Sequence, residues 1–213
     1  MSTTADPCAA PKPAVDPVLA AIQGWRAEVL GPLVLAIDGP GASGKSTIAA
    51  EVAAATGAAL VHTDDFFRWP SRPPAEDASA VFALENYYDW PRIRAEALEP
   101  LRAQATATFR RFDWETGAGL GGFVTILPSQ LVVLEGVFSS SPQLGDLVDR
   151  SILVHTSPAE RLKRLRARIS PEEWDEDWLA AERAYFGTRR PPGSFSLVVP
   201  GTNLPAEQLK GTA

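Results

Sequence analysis

A glycine-rich stretch that ends in lysine and serine carries the strongest chemical signal in the sequence. Residues 39–46 read GPGASGKS and satisfy the pattern GxxxxGK[ST] in full. In such a loop the backbone N–H groups point at phosphate oxygens, the lysine reaches the terminal phosphates and the serine hydroxyl can bind Mg²⁺. The pattern therefore predicts a phosphate-binding loop that leads into a helix, formed by Gly39, Gly41, Ala42, Ser43, Gly44, Lys45, Ser46 and Thr47.

The residues on either side of this loop predict the elements that must hold it. The apolar run LVLAID before the loop is typical of a strand buried on both faces of a parallel sheet. The alanine-rich segment after the loop predicts a helix that stops at Gly57, and AALVHTDD supplies a second strand with polar residues at its end. This context favours phosphate binding over the alternative, a glycine-rich turn that only caps a helix.

Acidic residues follow two of the predicted strands. Asp64 and Asp65 come after the second strand, and Glu135 comes after the apolar run LVVL. In open parallel sheets ligands bind beyond the carboxyl ends of the strands, where a carboxylate can accept the proton of an attacking hydroxyl or serve Mg²⁺. We therefore predict Asp64 as a base and Asp64, Glu135 and Ser46 as the metal side of the site. Asp38, just before the loop, orients the loop or a substrate group, or else faces solvent.

A helix rich in arginine is predicted in the second half of the chain. The segment SPAERLKRLRARI opens with a capping box, in which Ser157 is the N-cap and Glu160 lies three residues later. Arg161, Arg164 and Arg168 then share one face. Because guanidinium groups match phosphate oxygens, this face suits a triphosphate, and a solvated helix face is the alternative.

Two further segments could bind an acceptor molecule. Asp89, followed by Trp90 and Pro91, is typical of a helix N-cap and is also a candidate ligand for a substrate. Residues 107–127 read as two strands around a glycine-rich turn, which predicts a small β-hairpin outside the main sheet. We expect this hairpin to form a wall of the substrate site.

Composition limits the classes of function. The chain has 213 residues and a net charge of −6, so its overall field disfavours a general nucleic-acid-binding protein. No window approaches the ~18 continuous apolar residues of a membrane span. A lone cysteine, Cys8, and a start without a secretory signal pattern predict a cytoplasmic protein. We expect a flexible tail over residues 1–16 and a single α/β domain over residues 17–213.

Taken in order, these motifs resemble the uridine kinase and nicotinamide riboside kinase branch of the P-loop small-molecule kinases, a group similar to phosphoribulokinase. The resemblance runs from about Leu33 to about Tyr185 and rests on GPGASGKST, HTDDFF, YYDW and VVLEGVF. It implies a three-layer P-loop NTPase fold of the nucleoside-kinase type, with a parallel central sheet, a small hairpin and a helical lid at about residues 157–178. It also implies ATP and Mg²⁺ as cofactors and a nucleoside-like small molecule as the substrate.

The resemblance also implies roles for individual residues. It makes Asp64 the base that takes the proton of a primary hydroxyl, Asp89 a ligand of sugar hydroxyls, and Glu135 a residue of the metal and catalytic centre. The segment RLKRLRAR becomes the lid over ATP. Catalytic roles fall on Asp64, Lys45, Glu135 and Arg164, and substrate contacts fall on Asp64, Phe67, Tyr88, Asp89, Phe112 and Trp114.

Several alternatives remain open at this stage. One is a kinase for a non-nucleoside alcohol such as pantothenate or a sugar, and another is a phosphotransferase for a nucleoside antibiotic. The histidine that follows the aromatic-acidic step in uridine kinases has no counterpart at residues 115–117. A nucleotide-dependent switch is the third alternative, although the sequence has no NKxD-type motif for reading guanine. The sequence leaves open whether the chain forms a homo-oligomer.

Overall fold

The computed structural model of the 213-residue chain describes residues 15–68, 87–117, 119–167 and 176–201. Arg168, most of the predicted tail and part of the predicted lid lie outside the described residues. Within the described part of the chain, no helix is long and apolar enough to cross a lipid bilayer.

The described residues form seven strands. These are β1 (Leu33–Asp38), β2 (Ala59–His62), β3 (Ala107–Phe112), β4 (Leu120–Ile126), β5 (Leu131–Glu135), β6 (Arg150–His155) and β7 (Leu197–Pro200). Five of them make a parallel sheet in the order β2-β5-β1-β6-β7. Because β1 and β5 lie inside this sheet and are buried along their whole length, their sequences are almost continuously apolar.

In the described part of the chain, five helical segments surround this sheet, beginning with α1 (Asp16–Arg26) and α2 (Lys45–Thr56). The third, α3, runs from Trp90–Arg92 through a wider π-type turn at Ile93–Leu98 to Glu99–Arg102. The fourth is α4 (Pro158–Arg166), and the fifth, α5 (Glu176–Ala184), continues into a π-type turn at Tyr185–Arg189. Short 3-10 turns lie at Thr63–Phe66, Pro142–Leu144 and Pro192–Ser194.

Most helix boundaries agree with the signals in the sequence. Gly57 ends α2 in the left-handed conformation, with φ of 69°, and its N–H bonds to Ala53 O at 2.9 Å. Val18, Ile22, Trp25 and Val29 recur near helical spacing and predict a helix that closes at Gly31 and Pro32, but α1 is shorter than this pattern. It ends at Arg26 because the next N–H groups bond three residues back, so that Ala27 reaches Gly24 O at 3.1 Å.

Two apolar layers lie on opposite faces of the sheet and give the predicted three-layer architecture. Leu33, Leu35 and Ile37 of β1 face α1 and α2, whereas Val34 faces the other way. The second layer contains α3, the hairpin and α5. Side chains alternate between the faces of a strand, so one continuous apolar sequence supplies both layers. Each fully buried aliphatic or aromatic side chain contributes about 1.5–3 kcal/mol.

The predicted hairpin forms a sheet of its own. Strands β3 and β4 pair in antiparallel fashion and do not join the central sheet. Its inner face buries Phe109 in the second apolar layer and Phe112 against Phe67, while Phe123 on the outer face is 75% exposed. The register shifts between Arg110 and Phe112. A bulge of this kind bends a strand, and here it directly precedes Phe112, whose ring contacts that of Phe67.

Candidate active site

The glycine-rich loop at residues 39–46, the P-loop, connects the end of β1 with the start of α2. Its backbone takes left-handed conformations at Gly39, Ala42 and Gly44, with φ of 153°, 60° and 100°. These turns carry the chain into the first turn of α2, where Lys45 is buried. N–H groups and the positive end of the helix dipole therefore meet at the position that an anion would occupy.

The carboxylate of Asp38 is the buried anchor of this loop. It accepts hydrogen bonds from Gly39 N at 2.7 Å, Phe138 N at 2.9 Å and Ser140 N at 3.0 Å. The hydroxyls of Ser140 and Tyr185 donate to it as well, at 2.5 and 2.9 Å. Burial raises the pKa of Asp38, and these donors partly offset that effect. Asp38 therefore orients the P-loop and does not face solvent.

Glu135 connects the P-loop to the end of β2. One carboxylate oxygen accepts a hydrogen bond from Ser46 Oγ at 3.0 Å, and the other lies 2.8 Å from His62 Nδ1. Burial by itself would raise the pKa of Glu135. The bond to His62, together with Lys45 and Ser46, outweighs that effect and holds the pKa below its ordinary value. Glu135 is thus a buried carboxylate whose ionised form is stabilised by His62, Lys45 and Ser46.

His62 is a site residue that the sequence patterns do not reveal. Parallel pairing sets it opposite Glu135 on the neighbouring strand, and the hydrogen bond to Glu135 raises the pKa of His62. The signal that could have found it is its position at the end of β2, two residues before Asp64.

Two of the three residues predicted on the metal side, Ser46 and Glu135, offer the kind of oxygen donors that Mg²⁺ takes from a protein. Ser46 and Glu135 are in direct contact, and both are oxygen donors. The described residues contain no group of three or more His, Cys, Asp or Glu side chains that could hold a metal ion. Mg²⁺ commonly takes one or two protein oxygens and completes its octahedron with phosphate and water, so a small donor set beside the P-loop suits it.

Asp64 lies in a 3-10 turn directly after β2, opposite the segment that contains Tyr88. The Tyr88 hydroxyl donates to Asp64 Oδ1 at 3.0 Å, and Phe67 forms an antiparallel bridge with Tyr88. Asp89 N bonds to Phe66 O at 2.9 Å. The structure therefore brings the DDFF and YYDW segments together.

Asp89 is the N-cap of α3. Its Oδ1 atom accepts a hydrogen bond from Arg92 N at 3.3 Å, with Trp90 and Pro91 in the first turn. The capping role expected from the sequence is present, and it uses only one of the two carboxylate oxygens.

Aromatic rings form a wall beside Asp64. The Phe67 ring lies 5.3 Å from that of Phe112 and 5.0 Å from that of Trp114, and the last two are 4.8 Å apart. Phe112 is buried, whereas 57% of Trp114 is exposed. The hairpin therefore presents an aromatic surface at the segment that carries Asp64.

Two of the three predicted arginines contact the P-loop. Arg161 donates to Gly41 O at 2.8 Å, and Arg164 donates to Ala42 O at 3.2 Å. Ser157 caps their helix, α4, as the sequence predicted. These contacts argue against a purely solvated face for Arg161 and Arg164.

The acidic partner of Arg161, Glu182, is the other site residue that the sequence analysis missed. It is buried in α5 and accepts a hydrogen bond from Gly41 N at 2.6 Å. No spacing or motif marks it in the sequence.

Comparisons with known proteins give matches among solved structures. No family model and no curated protein matches the chain. A possible uridine kinase from Bacillus stearothermophilus is 21% identical, with a TM-score of 0.65, over 86% of this chain and 96% of that chain. A protein assigned as a fructose transport system kinase from Silicibacter sp. TM1040 is 19% identical, with a TM-score of 0.60, over 88% of this chain and 99% of that one. A D-glycerate 3-kinase from Cryptococcus neoformans var. grubii is 14% identical, with a TM-score of 0.52, over 85% of this chain and 87% of that one.

The chain has the fold of these P-loop kinases. The predicted fold class, a three-layer P-loop NTPase fold with a parallel sheet, a hairpin and a helical segment over the loop, is confirmed. In the P-loop kinase fold of this chain, the ends of β1, β2 and β5 bring together the P-loop, Asp64 and Glu135.

Substitution of Asp38 by asparagine tests the anchor of the P-loop. Oδ1 of Asp38 accepts from Phe138 N, and Oδ2 accepts from Ser140 N. Whichever way the asparagine side chain is turned, its NH₂ group therefore replaces an acceptor and faces a backbone N–H donor. We expect Asp38→Asn to lower the free energy of unfolding by about 2–4 kcal/mol, measured by urea denaturation. Asp146→Asn is the control, since its carboxylate pairs with Arg94 at the surface. Equal losses in the two variants would contradict an anchoring role.

Proposed function

We propose that the chain is an ATP- and Mg²⁺-dependent kinase that transfers the γ-phosphate to the primary hydroxyl of a nucleoside or nucleoside-like small molecule. The observation that carries this proposal is the position of Glu135, which contacts Ser46 of the P-loop on one side and His62 on the other. This contact joins a phosphate cradle to the strand that leads directly into Asp64. A phosphate site and a candidate base beside an aromatic wall are the parts that such a transfer requires.

The nucleotide side of the site is built from the P-loop. Lys45 and the N–H groups of the loop and of the first turn of α2 would hold the β- and γ-phosphates. Ser46 and Glu135 would hold Mg²⁺, with Asp64 on the same side, and the ion when bound supplies positive charge to the phosphate oxygens. Arg164, with Arg161 and Arg168, would offset charge on the transferring group.

On the acceptor side, Asp64 would act as the general base. Tyr88 donates a hydrogen bond to Oδ1 of Asp64 and so orients the carboxylate. The proton of the acceptor hydroxyl passes to Asp64 while the hydroxyl oxygen forms a bond to the γ-phosphorus. The bond from that phosphorus to the β–γ bridging oxygen breaks, and ADP leaves. Most of the rate enhancement comes from positioning and electrostatics.

The aromatic wall favours an acceptor with a planar base. Phe67 and Trp114 offer partly exposed ring surface for base stacking, with Phe112 buried behind them, at the segment that carries Asp64. Asp89 uses Oδ1 to cap α3, and we propose that its other oxygen binds a pair of sugar hydroxyls. A non-nucleoside alcohol is the second candidate, because two of the similar structures carry the names of a fructose transport system kinase and a D-glycerate 3-kinase.

The first test is turnover with defined acceptors. We expect MgATP-dependent ADP release with one member of a panel of uridine, cytidine, adenosine, nicotinamide riboside, pantothenate, fructose, D-glycerate and nucleoside antibiotics. Mass spectrometry of the product should place the phosphate on a primary hydroxyl. A product from fructose, D-glycerate or pantothenate alone would replace the nucleoside proposal with the second candidate. ATP binding without any acceptor turnover would favour the nucleotide-dependent switch.

Substitution of Asp64 by asparagine tests the base. We expect Asp64→Asn to lower kcat by at least ~10²-fold while the affinity for MgATP stays within about twofold, because a general base acts in the chemical step. Asp65→Asn removes the same charge from the adjacent residue and serves as the matched control. Similar kcat values for the two variants would remove Asp64 from the mechanism.

Substitution of Trp114 by alanine tests the aromatic wall. We expect Trp114→Ala to raise the KM for the acceptor by about 10-fold or more and to leave the KM for MgATP unchanged, since the loss of one stacking partner affects only the base. Phe123→Ala is the control, because this ring lies on the other face of the hairpin and is 75% exposed. If both variants change the acceptor KM equally, the inner face is not the acceptor wall.

A further inference from the structure

A buried carboxylate joins the P-loop, the arginine helix α4 and helix α5. Glu182 is 2% exposed, and its Oε1 atom accepts hydrogen bonds from Gly41 N at 2.6 Å and from Trp178 Nε1 at 3.0 Å. Its Oε2 atom pairs with Arg161 Nη2 at 2.5 Å. A buried carboxylate is costly unless it is paired and hydrogen-bonded, and here both conditions are met.

Arg161 is fixed from two directions by this arrangement. Its Nε atom donates to Gly41 O, and its Nη2 atom donates to Glu182, which in turn accepts from Gly41 N. The arginine, the carboxylate and the backbone N–H and C=O of Gly41 thus close a ring of hydrogen bonds. A Cβ atom at residue 41 would lie 3.1 Å from Glu182 Oε1, so glycine permits this close approach. Two of the five guanidinium N–H groups are used in this way, and the plane of the guanidinium is thereby defined.

Arg164 is held in a different manner. It contacts Ala42 O, and its carboxylate partner is Glu160, whose side chain is 39% exposed. Exposed pairs of this kind contribute little and exchange readily with water. Of the two arginines at the P-loop in the described part of the chain, only Arg161 has a buried acidic partner.

The same helix face reaches the acceptor side of the site. Trp178, which donates to Glu182, packs its ring 4.7 Å from that of Tyr87 and 6.4 Å from that of Tyr88, the residue that bonds to Asp64. Tyr185, about one turn beyond Glu182, donates to Asp38 at the base of the P-loop. Glu182 therefore lies between contacts to the aromatic residues and contacts to the phosphate cradle.

We propose that Glu182 is a positioning residue that presets the Arg161 guanidinium at the P-loop for the γ-phosphate. The proposal rests on the proposed function, because it assumes that a nucleoside triphosphate binds the P-loop. Glu182 has its effect on the ligand only by holding the Arg161 guanidinium in place. Loss of Glu182 should therefore affect ligands that carry a γ-phosphate and should spare those that lack one.

The test compares two nucleotides in four proteins. Affinities for MgADP and for the magnesium complex of adenylyl imidodiphosphate are measured by calorimetry in wild type, Glu182→Gln, Arg161→Ala and the double variant. We expect each single variant to weaken the triphosphate analogue by about 10- to 100-fold, the scale of one charge-assisted hydrogen bond, with MgADP within about twofold. The double variant should be no weaker than Arg161→Ala, because the two residues act as one unit.

Glu160→Gln is the matched control, since it removes the carboxylate partner of the other arginine from an exposed position. We expect it to change both affinities by less than about twofold. Glutamine at residue 182 has nearly the same shape as glutamate and can still accept a hydrogen bond from Gly41, so this variant is chosen to keep the fold. Thermal unfolding of each variant reports any general loss of stability.

Three outcomes would overturn the inference. Equal weakening of both nucleotides would mean that Glu182 only supports the structure, and additive losses in the double variant would mean that it does not act through Arg161. Unchanged affinity in Glu182→Gln would show that the ion pair has no role in binding. A wild-type protein that binds neither nucleotide would instead remove the proposed function together with this inference. Binding without turnover of any acceptor would leave the inference standing and the proposed acceptor chemistry wrong.

Discussion

The buried carboxylate of Asp38 is the interaction on which the rest of the site depends. It collects donors from three separate parts of the chain, namely the P-loop at Gly39, the loop after β5 at Phe138 and Ser140, and the end of α5 at Tyr185. Because a buried carboxylate is costly unless it is hydrogen-bonded, these three parts of the chain must keep their donors directed at Asp38, and this limits their relative positions. The position of the phosphate cradle relative to the Glu135 loop follows from that requirement.

The molecule and its proposed triphosphate ligand both carry negative charge, so the site must provide local attraction. The chain carries a net charge of −6, which repels a triphosphate at long range. Close to the P-loop, Lys45, Arg161 and Arg164 lie together with the positive end of α2, and Glu182 and Glu160 pair with the two arginines. His62, Lys45 and Ser46 hold the pKa of Glu135 below its ordinary value, and a carboxylate in that state is suited to a metal ion. Local geometry outweighs the net charge at this range.

The sequence predicted the elements better than the contacts between them. The strands, the P-loop, the hairpin and the caps at Ser157 and Asp89 depend on neighbouring residues, so their signals are local. The contacts of Glu182 with Gly41 and of Tyr185 with Asp38 span 141 and 147 positions. Such pairs arise from how the helices pack on the sheet, and one sequence contains no periodicity that encodes them. The ring of Tyr185 packs in the apolar core, and its hydroxyl donates to Asp38, a contact that no spacing in the sequence indicates.

The separate hydrogen bonding of the hairpin has a consequence for how the protein can evolve. Strands β3 and β4 bond to each other in a two-stranded sheet of their own and meet the body of the molecule through side chains. Substitutions along the inner face of the hairpin can therefore reshape the aromatic surface without breaking any backbone hydrogen bond of the central sheet. The anchor at Asp38 has no such freedom. In the proposed kinase, acceptor preference is accordingly more open to natural variation than the handling of phosphate.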